Sequence, residues 1–145
     1  MRKSPSYMDE LVKSFDLKPL AEEGGLWAPL YRDDLGNAIY YMMVAPDFSA
    51  WHRIKEAELW IHIAGNPVEL FTIEDNNLRK TKLDRNTGAF SYRVPANTWM
   101  AARPDGKWSL VICALTPAFS GMELAERSNL TSEFADLEIP ELFHE

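Results

Sequence analysis

From Glu58 to Ala64 apolar and polar residues alternate with the two-residue period of a strand. Glu58, Trp60, His62 and Ala64 then share one face, and Leu59, Ile61 and Ile63 the other. The second face is uniformly apolar and is expected to be buried. The first sets a carboxylate and an imidazole beside an indole, which suits a polar pocket inside a β-barrel. Gly65-Asn66-Pro67 stops the run with a tight turn.

Upstream, the pattern first has a helical period. Ser6 followed by Asp9 resembles a capping box with the shorter acid, and Tyr7, Met8, Leu11, Val12 and Phe15 recur on one face. Lys18-Pro19 ends this helix. Glu23-Gly24-Gly25 reads as a turn, Leu26 to Arg32 as a strand, and Asp33 to Asn37 as a hairpin turn. Ala38 to Val44 reads as a buried strand and Pro46 to Ala50 as a loop. Val68 to Glu74 and Leu78 to Leu83 are strands joined at Asp75-Asn76-Asn77. After a loop from Asp84 to Gly88, Phe90 to Val94, Thr98 to Ala102 and Trp108 to Leu115 complete the strands. Asp105-Gly106 is expected to mark the last hairpin, and Ser128 to Phe134 a short closing helix. Many short strands at even spacing predict an all-β antiparallel sandwich or barrel, in one domain spanning residues 1–145.

Composition narrows the function classes. Apolar residues make up 46% of the 145 positions, which suits a globular core. The formal charge of -7 repels phosphate backbones and anionic lipid, so neither nucleic acid nor membrane is an expected partner. Beyond Gly121 the acids Glu123, Glu126, Glu133, Asp136, Glu138, Glu141 and Glu145 face Arg127 alone, as on a solvated surface. The single cysteine, Cys113, lies in the apolar run Ser109 to Leu115 and reads as an inert core thiol. With no signal peptide and no membrane span in view, a soluble cytoplasmic protein is expected.

Candidate chemistry concentrates on His52, Glu58 and His62. His52 precedes the strand and can fold back toward Glu58. Two histidines and a carboxylate can hold an open-sided transition metal, can form a metal-free acid/base pair, or can be a hydrogen-bonded cluster at a barrel mouth. Trp27, Trp51, Trp99 and Trp108 read as core residues.

These residues resemble the cupin superfamily. Its first motif ends in a glutamate and a glycine separated by six residues, as are Glu58 and Gly65. Val94-Pro95-Ala96-Asn97-Thr98-Trp99 resembles its second motif. The likeness is strongest to cupin family five, a domain of unknown function with an epimerase-like jelly roll. Glu23-Gly24-Gly25, Tyr31, Ile39 to Met43, Ser49 to Arg53, Glu58-Leu59-Trp60, Gly65-Asn66-Pro67, Val94 to Ala102, Leu110 to Cys113 and Pro117-Ala118-Phe119 match its pattern in order. The resemblance implies a double-stranded β-helix, or jelly-roll barrel, with short terminal helices. It also implies a homodimer and a small-molecule pocket at the barrel mouth. His52 and Glu58 become candidate catalytic residues. Candidate ligand-binding residues are His52, Glu58, Trp60, His62, Met100, Tyr31, Leu30 and Ala28.

The departures from that pattern shape the expected ligand. Ala28, Leu30 and Met100 stand where the family has arginine, threonine and glutamine, and the usual partner of the first-motif histidine is absent beside His52. No cofactor and no tightly held transition metal are therefore expected. The expected function is binding of a small, partly apolar molecule. The alternatives are a metal-free isomerase or epimerase using His52 and Glu58, a metal-dependent cupin enzyme, and a structural dimer with a vestigial pocket.

Overall fold

The computed structural model describes residues 6–144. Helix α1 (Tyr7–Ser14) starts where the sequence predicts, with the Ser6 hydroxyl accepting the Asp9 N–H at 3.1 Å. Eleven strands follow: β1 (Lys18–Pro19), β2 (Leu26–Arg32), β3 (Asn37–Val44), β4 (Ser49–Ile54), β5 (Glu58–Gly65), β6 (Val68–Glu74), β7 (Asn77–Leu83), β8 (Ser91–Val94), β9 (Met100–Pro104), β10 (Trp108–Leu115) and β11 (Met122–Leu124). A 3-10 turn at Arg85–Thr87 and helix α2 (Arg127–Glu133) complete the described elements. No helix among the described residues is long and apolar enough to cross a membrane.

The strands form two antiparallel sheets, ordered β1-β2-β3-β10-β5-β8 and β11-β4-β9-β6-β7. From β3 onward the chain passes repeatedly between the sheets, as in a jelly roll. The expected barrel is corrected in one respect, since the two sheets stay separate and do not close. The expected hairpin at Asp105-Gly106 is corrected as well. Its flanking strands β9 and β10 lie in different sheets, so the turn carries the chain across the sandwich. The hairpin at Asp75-Asn76 is as expected. Both residues have positive φ, 51° and 59°, the geometry of a tight two-residue connection.

Three apolar layers result. Tyr41, Trp60, Leu70, Met100, Val111 and Cys113 fill the space between the sheets. Helix α1 and Leu17 cover part of the outer face of the first sheet, over Ala28, Met42, Ala64 and Leu110. Leu130, Leu142 and Phe143 from the C-terminal segment cover the outer face of the second sheet, over Trp51, Phe71 and Trp99. The C-terminal segment is tied there by two hydrogen bonds. The Trp51 indole N–H donates to Pro140 O at 2.9 Å, and Trp51 N donates to Leu142 O at 3.0 Å.

Strand β5 departs from strict alternation. Leu110 pairs with Ala64 but Val111 pairs with His62, so Ile63 is an extra residue opposite that step. Beyond it Ala64 joins the layer under α1, and does not share a face with His62 as the sequence suggests. Leu59, Ile61 and Ile63, expected to be buried, are only half-buried on the outside of the first sheet.

Candidate functional site

A cavity of about 270 Å³ opens between the two sheets. Trp27, Pro29 and Tyr31 of β2, Ile39 of β3 and Leu115 of β10 line it from the first sheet; Ile54 of β4 and Met122 of β11 line it from the second. Its polar groups are few. Glu23, His52 and Glu58 reach it, with exposures of only 8%, 3% and 8%. Arg32 and Asn37 also line it, but both are engaged with the segment after β10. Arg32 Nη2 donates to Phe119 O at 2.8 Å, and Phe119 N donates to Asn37 Oδ1 at 2.7 Å.

Backbone geometry puts Glu23 here. Gly24 and Gly25 follow it at φ of 95° and 80°. A Cβ at Gly24 would lie 2.3 Å from Phe48 O, and one at Gly25 would lie 2.6 Å from the Tyr41 hydroxyl. Only glycine permits this turn and its close approach to β3. The Tyr41 hydroxyl donates to Gly24 O at 2.6 Å, and Asp47 Oδ2 accepts Gly25 N at 2.8 Å. Ala50 N donates to Glu23 O at 2.9 Å. Thus held, Glu23 turns inward and its Oε2 accepts the Ser49 hydroxyl at 2.7 Å.

His52 stands opposite on β4. Its Nδ1 lies 2.7 Å from Ala50 O. A carbonyl only accepts, so Nδ1 carries a proton and Nε2 is the ring atom turned to the cavity. Nε2 lies 3.8 Å from Glu23 Oε1. Glu58 completes the group from β5, where its Oε1 accepts the Trp60 indole N–H at 2.7 Å. Burial raises the Glu58 pKa from 4.5 to about 7; Glu23 adds to the rise, while His52 and the Trp60 N–H oppose it. Burial, with a smaller contribution from Glu23, likewise raises the Tyr41 phenol well above its usual value. Cys113, buried on β10, has its thiol pushed well up by burial and then by Glu58, which leaves it an inert core group.

Of the residues singled out in the sequence, His52, Glu58 and Tyr31 line the cavity. Trp60 and Met100 sit behind them in the core, Trp60 as the donor that fixes Glu58. Leu30 is exposed, and Ala28 lies on the opposite face of the sheet beneath α1. His62 lies elsewhere. Its Nδ1 accepts the Arg85 N–H at 2.9 Å, so Nε2 is protonated, and no described residue bonds it. Burial lowers the His62 pKa.

A transition-metal centre needs several imidazole and carboxylate donors converging on one point. Among the described residues no three His, Cys, Asp or Glu side chains do so. His52 spends one ring nitrogen on Ala50, and His62 is turned to the 3-10 turn. The donor set does not fit a metal ion. Sequence reasoning missed Glu23, since an acid before two glycines looks like a solvated turn. Its burial depends on Tyr41, Asp47 and Ser49, which lie between 18 and 26 positions away in sequence.

Comparison with known proteins agrees with this architecture. The family model Cupin_5, described as cupin superfamily (DUF985), matches residues 9–125. A crystal structure from Shewanella oneidensis is similar, with a TM-score of 0.83 at 22% identity, over 91% of this chain and 92% of that one. A hypothetical protein from Leishmania major has a TM-score of 0.80 at 20% identity, over 90% of this chain and 94% of that one. A cupin-2 domain from Rhodospirillum rubrum has a TM-score of 0.64 at 14% identity, over 94% and 88%. No curated protein matches the sequence.

Proposed function

Because the chain belongs to the Cupin_5 family of the cupin superfamily, we propose that it binds a small organic molecule with an apolar body and one polar head. The observation that carries this reading is the unused oxygen of Glu58. The carboxylate is 8% exposed, its Oε1 is taken by Trp60, and Oε2 receives no hydrogen bond from a described residue although the side chain borders a cavity. That oxygen is not sealed in the core but opens to the cavity, where a guest's donor can reach it. The walls around it are apolar, which is the usual character of small-molecule sites.

The cavity is small. At about 270 Å³ it lies just below the common range for ligand pockets, roughly 300–1,000 Å³. A sugar nucleotide would leave most of its polar surface either outside or against apolar walls. The test is a calorimetric screen of sugar nucleotides against small aromatic and aliphatic compounds with a single polar group. Binding is expected for the second group. Micromolar binding of a sugar nucleotide that Glu58→Ala abolishes would overturn the reading.

A second reading has one observation in its favour. Burial lifts the Glu58 pKa to about 7, and His52 Nε2 faces Glu23 at 3.8 Å on the same cavity. Such a pair could serve as acid and base in a metal-free isomerisation. Exchange of a substrate C–H proton with solvent, lost in both Glu58→Gln and His52→Gln, is the expected sign of that activity.

A further inference from the structure

The inner end of the cavity has an excess of acceptors. Glu23 and Glu58 contribute two carboxylates, and His52 at most one positive charge. Among the described residues no Lys or Arg lies within 4.0 Å of either carboxylate. The Ser49 hydroxyl and the Trp60 indole satisfy one oxygen of each. Glu58 Oε2 receives no hydrogen bond from a described residue, and Glu23 Oε1 faces only His52 Nε2, at 3.8 Å, so the two carboxylates share one possible countercharge. A buried carboxylate without a countercharge must either take up a proton or meet a cation.

We propose that the cavity selects a primary ammonium, the –NH₃⁺ of a small apolar amine seated between Glu58 and Glu23; this rests on the binding function proposed above. Three N–H donors on one compact centre match Glu58 Oε2, Glu23 Oε1 and the neutral form of His52 Nε2. An anionic head would place a third negative group beside two carboxylates. A hydroxyl would satisfy one acceptor and supply no charge. A quaternary ammonium has the charge but no donor, so it can bond neither oxygen. The apolar body would lie against Trp27, Ile39 and Leu115.

The other groups around Glu58 fit this assignment. Tyr41 on β3 and Cys113 on β10 stay neutral, because burial raises both above their usual values. Arg32, the cation at the rim, is bonded to Phe119 O. The incoming ammonium would therefore displace a proton from the acidic cluster, and no Lys or Arg among the described residues competes with it there.

Titration calorimetry on the whole protein tests this with benzylamine, benzyl alcohol, benzoate and benzyltrimethylammonium. Benzylamine is expected to bind about tenfold or more tighter than benzyl alcohol, the difference that one charge-assisted hydrogen bond makes. Benzoate and benzyltrimethylammonium are expected to bind more weakly than the amine. Repeating the amine titration near pH 7 in two buffers of different ionisation enthalpy should show a proton released on binding. Glu58→Gln keeps an acceptor for Trp60, and should lose both the proton release and the preference for the amine. Glu23→Gln should weaken the amine and leave the alcohol within about threefold. Equal binding of amine and alcohol, or a preference for benzoate or the quaternary ion, overturns the ammonium assignment and leaves the binding function standing. Failure of all four to bind overturns the assignment and counts against the binding function as well.

Discussion

Trp60 donates its indole N–H to Glu58, two residues earlier on the same strand, at 2.7 Å. Both side chains point between the sheets, so the core residue behind the cavity sets the orientation of the acid that borders it. The bond favours the ionised carboxylate. In Trp60→Phe the Glu58 pKa is therefore expected to move above its already raised value. Carboxyl carbon shifts followed through a pH titration would measure it; an unchanged or lower pKa would show that the indole does not act on the acid.

The raised pKa of Glu58 has a consequence for stability. The folded protein favours the neutral acid, whose pKa rises from 4.5 to about 7 on folding. That contribution is complete below the unfolded value and is lost as pH rises through the folded one. The gap corresponds to about 3 kcal/mol. Glu58→Gln is expected to be more stable than the parent at about pH 8, by up to roughly that amount, and to lose the advantage near pH 4–5. Urea denaturation at both pH values checks the sign.

The C-terminal segment acts as a wall of the second sheet. Phe143 is 8% exposed and packs in the layer that contains Trp51, Phe71 and Leu142. Phe143→Ala should cost about 3–5 kcal/mol, as for other large deletions in a core. Because Trp51 is adjacent to His52 on β4, the same variant should weaken ligand binding, whereas a surface change such as Glu138→Ala should do neither. Paired denaturation and binding measurements separate the two.

The half-buried outer face of β5 is the place where a second copy of the chain is expected to dock. Leu59 and Ile61 lie there, with Ile112 beside Ile61 on β10. A two-fold contact burying about 800 Å² per subunit would be of ordinary size. Sedimentation should give a dimer at micromolar concentration, and Ile61→Arg should shift it to monomer. A monomeric parent protein would end this expectation.

The fold was legible wherever turn residues bound a run of strand formers. β2, β6 and β10 have the bounds that their turn residues predict. The loop expected over Pro46 to Ala50 runs into β4 at Ser49, and no turn residue marks where that strand begins. Ser49 to His52 have no exposed side, so no alternation marks them. β11 is three residues long and is ordered by pairing with β4, which local sequence cannot show. In the site, His52 and Glu58 were legible because polar residues interrupt an apolar run. Glu23 was not, since its neighbours in space come from β3, β4 and the loop between them. Ala28 was assigned to the pocket by position in a motif, but alternation along β2 turns it to the opposite face.

The extra residue at Ile63 divides β5 into two parts with separate obligations. Glu58 and Trp60 answer to the cavity, while Ala64 answers to the helix outside. A new guest specificity can be explored by substitution at the first part without disturbing the seat of α1. The strand is thus a joint at which chemistry and scaffold can change independently of each other.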